Sequence, residues 1–422
     1  MKRVAPLLPL TCLVSSVALA QPPPHEASEP IENPPPTDQP LIPEESTLPA
    51  PVVKEEEKQD AKKFDVGYDG GFFLRSDDGT YALTIMGRFM PYMNYSYVRA
   101  TKDSQPQFEV RRARLILQGN LHGKDLTFKL QPDFGRGNVN LRDAHFDVRI
   151  AGTTWLRFGQ WKRPFSRQQI NSSGRQQMTN RAITNVAFGP GRDIGVALHN
   201  NYERSPEIEW TLGVFNGRGD VPAISGSVMV DPMSGMGTIG PTTVTNVPLE
   251  FRPAVIARVG YNTKDLKGYS EADLEGGPLR FGAAASVWLE GDFDDDAVSN
   301  QKVQADYTLK AHGFSTTGGV YFLTAQDGDT ITKQEASLFG FHTQAGYLFT
   351  PRWEAVARYA YINDVTLKSK TPRDQQEISV TANFYAYGHA GKFQGGVRLI
   401  KTGAGAFTDV LLFELGTHVA FW

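Results

Sequence analysis

The residues with the clearest capacity for chemistry in this 422-residue sequence are arginines and lysines at alternating positions. Arg112 and Arg114 oppose leucines of the same segment, and Lys129 alternates with apolar neighbours further along. A guanidinium group stays charged at any relevant pH and offers a planar fork that matches two oxygens of an oxyanion. A row of such groups predicts weak, repeated anion binding, which stepwise passage along a channel requires.

The candidate anion-binding residues are cations on the polar face of alternating segments or in one basic connection. They are Arg88, Arg112, Arg114, Lys129, Arg157, Lys162, Arg163, Arg167, Arg175, Arg181, Arg192 and Arg258. Any strand arginine could instead pair with acids such as Asp133, Asp143 and Asp147 and only stabilise the fold. Arg111 alternates onto the opposite face, where we expect it at the lipid interface.

The segments that carry these residues alternate apolar and polar side chains from Phe64 onward. This period of two predicts strands with two differently solvated faces, and aromatic stretches at 92–97 and 155–161 are typical of membrane-interface girdles. The fold class is therefore all-β, a transmembrane antiparallel barrel of about sixteen strands. The strands are predicted at 80–98, 107–121, 125–134, 139–149, 154–161, 192–202, 207–216, 252–262, 279–290, 301–312, 313–325, 337–349, 352–363, 375–387, 391–401 and 408–421.

The connections differ greatly in length and charge. Segment 162–192 contains six lysines and arginines and no acid. We expect it to fold inward as a constriction, with a loop facing lipopolysaccharide as the alternative. Segment 217–251 is also long. The acidic run at 290–296 lacks the regular spacing of a calcium loop, so it is interpreted as a solvated surface loop.

The N-terminal residues have a different character. Residues 1–20 combine a cationic start, an apolar stretch and a closing Ala18-Leu19-Ala20, which predicts a secretory signal peptide. Residues 21–63 are rich in Pro and Glu and predict a disordered periplasmic linker. Residues 64–422 form the predicted barrel. The single cysteine, Cys12, lies in the signal peptide, so the exported chain would have no disulfide.

Charge is divided unevenly along the chain, although the total is only −3. The four parts 1–20, 21–63, 64–200 and 201–422 carry +2, −6, +8 and −7 respectively. A narrow passage lined by one sign of charge focuses its field, so the basic half predicts a lumen that favours anions. Mean hydropathy is −0.35, and no later stretch has the length of an apolar membrane helix.

Enzyme motifs are missing from the sequence. There is no Gly-x-Ser-x-Gly, no His-Glu-x-x-His and no Gly-Lys-Ser/Thr loop. We therefore expect no catalytic site, no cofactor, no metal and no nucleic-acid partner. A membrane-embedded lipid hydrolase is a further alternative, and it would need a Ser and a His side by side on the barrel exterior.

Several motifs, taken in order, resemble the opening and body of the phosphate-selective porin O and P family. They include Asp69-Gly70-Gly71-Phe72-Phe73-Leu74, Val110-Arg111-Arg112-Ala113-Arg114-Leu115, and Leu156 to Phe165. The resemblance implies a sixteen-stranded, homotrimeric outer-membrane pore, in contact with lipid and lipopolysaccharide, for phosphate or related anions. A general or polyanion porin, or a barrel serving as adhesin or anchor, remains open.

The final predicted strand ends on aromatic residues. Phe413, Leu415, Val419 and Phe421 lie in phase, and Trp422 follows. We interpret Phe421 as the lipid-facing aromatic of a terminal strand that the outer-membrane insertion machinery would recognise.

Overall fold

The structure is a computed structural model of the chain. It describes residues 63–99, 101–189, 191–217, 223–225, 228–230, 237–239, 243–245, 247, 251–291, 299–327, 334–366, 374–403 and 410–422. The predicted signal peptide, the predicted linker up to residue 62, most of segment 217–251 and the acids at 292–296 lie outside these residues.

Strands make up nearly all of the regular structure. Two helices, α1 (Arg167–Ile170) and α2 (Ile183–Ala187), contain four and five residues. In the described residues, no helix is long and apolar enough to cross a membrane. The strands are β1 (Phe64–Tyr68), β2 (Phe72–Ser76), β3 (Ala82–Val98), β4 (Asp103–Asn120), β5 (Leu126–Asp133), β6 (Asn140–Ala151), β7 (Thr154–Lys162), β8 (Arg192–His199), β9 (Ile208–Phe215), β10 (Ala223–Ser225), β11 (Val228–Val230), β12 (Gly237–Ile239), β13 (Thr243–Thr245), β14 (Ala254–Asn262), β15 (Arg280–Gly291), β16 (Ser299–Ala311), β17 (Phe314–Asp327), β18 (Gln334–Leu348), β19 (Trp353–Asp364), β20 (Gln375–Tyr387), β21 (Gly391–Thr402) and β22 (Val410–Phe421).

Sixteen of these strands, β3–β9 and β14–β22, form a closed antiparallel barrel. Each pairs with its neighbour along the chain, and β14 pairs with β9 across the long intervening connection. Closure comes from β22 and β3, which pair from Val410 opposite Val98 to Phe421 opposite Gly87. The predicted barrel of about sixteen strands is confirmed. Closure leaves no unpaired edge, which a membrane-spanning sheet cannot tolerate.

The hairpin β1–β2 continues the sheet beside the start of β3. Phe72 pairs with Ile85, just beyond the point where β22 ends. The barrel wall is therefore extended on this side by a short additional pair of strands.

Alternation of side chains around the wall follows the predicted pattern. In β16, Lys302, Gln304 and Asp306 are buried inside, while Val303 and Tyr307 are exposed outside. The neighbouring strand β15 shows the same alternation, and its Val287 and Leu289 are exposed on the outer face. Because successive side chains of a strand point to opposite faces, this produces an apolar outer surface and a polar interior.

The aromatic stretches do not all form the predicted outer girdle. Trp155 and Trp161 are 7% and 2% exposed and lie on the inner face with Arg157, and Tyr92 is 8% exposed beside Arg88 and Met90. The girdle interpretation was wrong for these three, because their strand phase places them inside. Phe158 does face outward, with 52% exposure.

The two ends of the barrel carry different connections. Short turns at 121–125, 152–153, 312–313, 349–352 and 388–390 lie at one end, and most of the longer connections lie at the other. In bacterial barrels the short turns face the periplasm and the long loops face outward. The connection between β7 and β8, residues 163–191, is hereafter loop 3. The connection between β14 and β15, residues 263–279, belongs to the short-turn end and is hereafter the inner turn.

Candidate functional site

Loop 3 folds into the lumen, as its position in the chain predicted. Phe165, Met178, Ala182 and Phe188 of this loop are at most 3% exposed. Phe165 and Phe188 pack with inward-facing side chains of the wall in one apolar cluster that includes Trp288 of β15 and Tyr321 of β17. The core of the molecule therefore lies inside the barrel, between loop 3 and one side of the wall.

Carboxylates of the opposite wall hold the loop in place. Asp306 accepts hydrogen bonds from the Arg167 backbone nitrogen at 2.9 Å and from its guanidinium at 3.3 Å. Glu377 accepts from the Ile183 backbone nitrogen at 2.9 Å. Hydrogen bonds to an ionised acceptor are stronger than neutral ones, so each acid fixes one point of the loop.

Two further acids hold the middle of the loop through neutral donors. Glu414 accepts from the Thr179 hydroxyl and the Asn180 amide. Glu354 accepts from the side-chain amide of Gln177. Both carboxylates therefore bind loop 3 and do not face an open passage.

The inner turn meets loop 3 from the opposite end of the barrel. Glu271 of this turn accepts a hydrogen bond from the Gln177 backbone nitrogen at 2.8 Å, and its own backbone nitrogen donates to the backbone carbonyl of Arg175 at 3.2 Å. Tyr269 donates to Glu209 of β9 at 2.7 Å. The two segments together cover much of the lumen wall that the acidic second half of the chain forms. Sequence reasoning did not foresee the inner turn's fold, because contacts with loop 3 and the wall define it.

Two cavities of about 210 and about 460 Å³ lie along β3–β8 and are hereafter called the basic channel. Lys129, His145 and Glu203 line both cavities. The smaller cavity is the constriction, where loop 3 faces the wall. It is lined by six cations and two carboxylates: Arg88, Arg114, Lys129, Lys162, Arg175 and Arg192, with Asp143 and Glu203.

Part of this positive charge is balanced locally. Asp143 contacts Arg192 Nε at 2.7 Å through one oxygen and Lys129 Nζ at 3.2 Å through the other. Arg114 Nε lies 2.6 Å from Asp133. The alternative role considered for strand arginines, pairing with lumen acids, therefore applies to these residues even as they line the channel.

Other cations of the constriction have only neutral partners among the described residues. Arg88 is 5% exposed and donates to the hydroxyls of Ser172 and Ser173 at 3.2 and 3.0 Å. Lys162 donates to the backbone carbonyls of Ile170 and Asn171, both at 2.9 Å. A buried cation without a carboxylate is costly, which makes this region attractive to an anion.

Arg175 and Arg181, the remaining loop 3 candidates near the channel, differ in exposure. Arg175 is exposed at the constriction. Arg181 donates to the carbonyls of Gln168 at 2.9 Å and Asn171 at 3.1 Å. Burial, reinforced by the charge of Arg192, lowers the pKa of Arg181 to about 9, so this side chain is cationic at neutral pH.

A β-bulge changes the direction of Arg111. Met90 pairs with Arg112 and Pro91 pairs with Val110, so Arg111 has no partner across the sheet. Its guanidinium stacks 4.5 Å from the Tyr92 ring and donates to the backbone carbonyl of Thr179 in loop 3 at 3.3 Å. The prediction that Arg111 faces lipid was wrong, because the extra residue of a bulge breaks strict alternation.

The sequence contained a signal for this bulge. Proline cannot donate to the strand ladder and is largely confined to edges and bulges. Pro91 lies at the bulge of β3 and β4, and Pro132 at a second one between β5 and β6. Arg112 itself points inward as predicted, with its guanidinium 3.7 Å from the Met90 sulfur.

Five of the candidate arginines do not line the basic channel: Arg112 and Arg181, described above, and Arg163, Arg167 and Arg258. Arg258 donates to both oxygens of Asp306, at 2.8 and 2.9 Å, and to Glu209 at 3.1 Å. Arg167 shares Asp306, as described above. Arg163 pairs with Asp193 at 3.2 Å and stacks 4.2 Å from the Trp288 ring. These last three residues tie loop 3 and the wall together.

Arg157 lies in the larger cavity, towards the short-turn end. It forms two hydrogen bonds to Asp147, at 2.6 and 3.0 Å, and reaches Glu203 at 3.3 Å. Burial raises the pKa of Glu203, but Arg157 and Lys129 outweigh it and hold the pKa at about 2. Glu203 therefore remains a carboxylate in the channel at physiological pH.

The described residues contain no group of side chains arranged to hold a metal ion. A serine and a histidine do meet, since Ser270 Oγ lies 3.1 Å from His389 Nε2. This pair lines an inner cavity instead of the barrel exterior, and His389 Nδ1 has no hydrogen-bond partner in the described part of the chain. A hydrolytic triad also requires a third group to orient the histidine.

Comparison with known proteins agrees with this architecture. The sequence model of the family described as phosphate-selective porin O and P matches residues 89–395. Comparison with curated proteins gives no significant match.

Solved structures with the same fold have low sequence identity to this chain. The outer membrane channel DcaP of Acinetobacter baumannii is 14% identical with a TM-score of 0.56, over 83% of this chain and 99% of that one. A loop-deletion mutant of OmpT from Vibrio cholerae is 11% identical with a TM-score of 0.53, over 81% and 100%. An anion-selective porin from Comamonas acidovorans is 12% identical with a TM-score of 0.51, over 81% and 100%. At these identities the likeness concerns the fold alone.

Proposed function

This chain belongs to the phosphate-selective porin O and P family, and from that premise we propose that it is an outer-membrane channel for small anions. Inorganic phosphate or a related oxyanion is the proposed substrate, and the basic channel is the proposed route. Passage is passive: the anion exchanges part of its hydration for guanidinium, ammonium and hydroxyl groups, and no bond is made or broken.

One observation carries this proposal. Loop 3 and the inner turn cover carboxylates of the opposite wall, among them Asp306, Glu354 and Glu414, and the constriction left open has six cations and two carboxylates. In a narrow passage between low-dielectric walls, such an excess of one sign concentrates the counter-ion.

The preference for an oxyanion over a simple halide rests on the kind of donors at the constriction. Arg88 offers a planar guanidinium beside the hydroxyls of Ser172 and Ser173. Lys129, Lys162 and Arg192 face the same cavity. Several convergent donors suit a group with several oxygens, whereas chloride needs only charge.

Bilayer electrophysiology on the purified protein tests the proposal. We expect the reversal potential in a potassium chloride gradient to give an anion-to-cation permeability ratio above one. Added phosphate should then reduce the chloride current at a concentration well below that of chloride. Cation selectivity would contradict the channel's proposed charge preference, and chloride current insensitive to phosphate would leave a general anion porin.

Two other functions predict different results. An adhesin or anchor requires no conductance from correctly inserted protein. A polyanion channel should be blocked by tripolyphosphate far more strongly than by orthophosphate, because several cations in series would bind the longer ion together.

Further parts of the proposal concern the surroundings of the barrel. We propose export by the signal peptide at 1–20, a periplasmic linker at 21–63, and a homotrimer in contact with lipid and lipopolysaccharide. Native mass spectrometry of detergent-extracted protein would give both the processed N-terminus and the number of copies. A monomer in mild detergent would contradict the trimer.

A further inference from the structure

Trp422 occupies an unexpected place beneath loop 3. In β22 the exposed residues Phe413, Leu415, Val419 and Phe421 face outward. Trp422 has the opposite phase, the one shared by the buried residues Glu414 and His418. Its ring lies 5.0 Å from that of His418, on the lumen side of the wall.

The Trp422 ring contacts both sides of the constriction, Arg88 of the wall and Gly174 of loop 3. The guanidinium carbon of Arg88 lies 5.2 Å from the ring centroid, within the range of a cation–π contact. On the loop side the ring presses against Gly174, which follows the two serines that bind Arg88. A Cβ built at Gly174 would lie 2.2 Å from Trp422 Cη2 and 2.9 Å from Arg88 Nη1, so the glycine is required by space.

We propose that Trp422 is a positioning residue of the channel, which holds Arg88 and the loop 3 turn at 172–175 in the geometry that binds the passing anion. The inference rests on the proposed function, because it gives Arg88 a role in anion passage. It goes beyond that function by placing a determinant of selectivity on the residue that follows β22, outside the arginines and lysines themselves.

The physical reason is the weak tethering of Arg88. It has two hydrogen bonds to hydroxyls, no carboxylate partner in the described residues, and an Nε atom without a partner there. A long side chain with such neutral tethers retains rotamer freedom. The indole face restricts that freedom and leaves the cationic charge uncompensated, whereas a carboxylate would neutralise it.

The turn at 172–175 depends on the same ring. Ser172 caps this turn through a hydrogen bond from Gly174 at 3.4 Å, and Arg175 beside it is exposed at the constriction. Removal of the indole would leave a void under Gly174, so the turn and both arginines could shift together. The expected result is a wider distribution of cation positions, with weaker anion binding.

The test compares single channels of Trp422→Ala, Trp422→Phe and Gly174→Ala with those of the unmodified protein. Because a cation–π contact of this kind is modest, we expect Trp422→Ala to raise the phosphate concentration that halves the chloride current by about three- to tenfold. Trp422→Phe retains an aromatic face and should recover most of the affinity. Gly174→Ala pushes against the ring from the loop side and should weaken phosphate block as Trp422→Ala does.

Phe421→Ala is the matched control, because this neighbouring aromatic residue at the end of β22 faces outward. It should lower the yield of inserted channels and leave the phosphate block of each channel unchanged. Open-channel current noise provides a readout that does not depend on which ion carries the current, and Trp422→Ala should increase it.

The outcomes separate the two proposals. Cation selectivity of the unmodified protein would overturn the proposed function, and the noise comparison would still decide whether Trp422 positions the loop. Anion selectivity with identical block and noise in Trp422→Ala and the unmodified protein would overturn the positioning role alone. If Trp422→Ala yields no channels, Gly174→Ala decides: unchanged block and noise would overturn the role.

Discussion

Lys129 offers the sharpest test of the basic channel. It lines both cavities, and the carboxylate that it contacts, Asp143, keeps a second cationic partner when the lysine is replaced. Its Nζ lies 3.2 Å from Asp143, and Asp143 retains Arg192 at 2.7 Å when the lysine charge is removed. Lys129→Gln therefore changes the charge of the constriction by one unit without creating an unpaired buried carboxylate.

The size of the effect follows from Coulomb's law. A unit charge about 5 Å from a passing ion contributes about 0.8 kcal/mol in water, a factor of about four in local ion population. Screening at about 0.1 M salt, with a Debye length of about 10 Å, reduces the factor to about two. Removal of the lysine charge lowers the local anion population by this factor and raises the cation population by the same factor, so the anion-to-cation permeability ratio should fall about fourfold.

The assay is the reversal potential of Lys129→Gln channels in a tenfold potassium chloride gradient. Arg149→Gln is the matched control, because Arg149 is a half-exposed strand cation that pairs with Asp125 and lines neither cavity of the basic channel. We expect the control to keep the original ratio. An unchanged ratio in Lys129→Gln would refute the assignment of the basic channel as the ion route.

Three further changes test how the barrel is held together. Arg258→Gln removes the arginine that pairs with the buried carboxylates of Asp306 and Glu209. The free energy of unfolding, measured by denaturant titration, should therefore fall by about 3–5 kcal/mol. The ion selectivity of the channels that still form should not change. Glu414→Gln weakens the hold on loop 3 and should increase single-channel conductance and its variance, whereas Glu207→Gln at an exposed position should not. Val380 faces outward and is 55% exposed, so Val380→Arg places a charge on the lipid-facing surface. This change should lower the free energy of unfolding from lipid bilayers by about 2–4 kcal/mol. Val380→Ile is the uncharged control.

The distribution of charge along the chain acquires a structural explanation. The basic part at 64–200 supplies most of the channel wall and loop 3, and the acidic part supplies the carboxylates that hold the loop. Positive charge is thus left at the open passage, and the negative charge binds loop 3 to the wall.

The sequence by itself determined the strands of the wall, because the period of two is a local property of the backbone and appears directly in the order of residues. The inward direction of Arg88, Arg114 and Lys129 followed from the same alternation. The sign of the charge near the passage could also be predicted, since the first half of the barrel is basic.

Only the tertiary structure decided which cations share the passage. Arg258 has the same residue type and strand phase as Arg114, yet loop 3 and the inner turn enclose it with Asp306. The bulge at Arg111 and the contact of Trp422 with Gly174 also depend on register and on residues distant in sequence. A local pattern fixes which face of a strand a side chain occupies, but the partner it meets across the lumen depends on closure of the whole barrel.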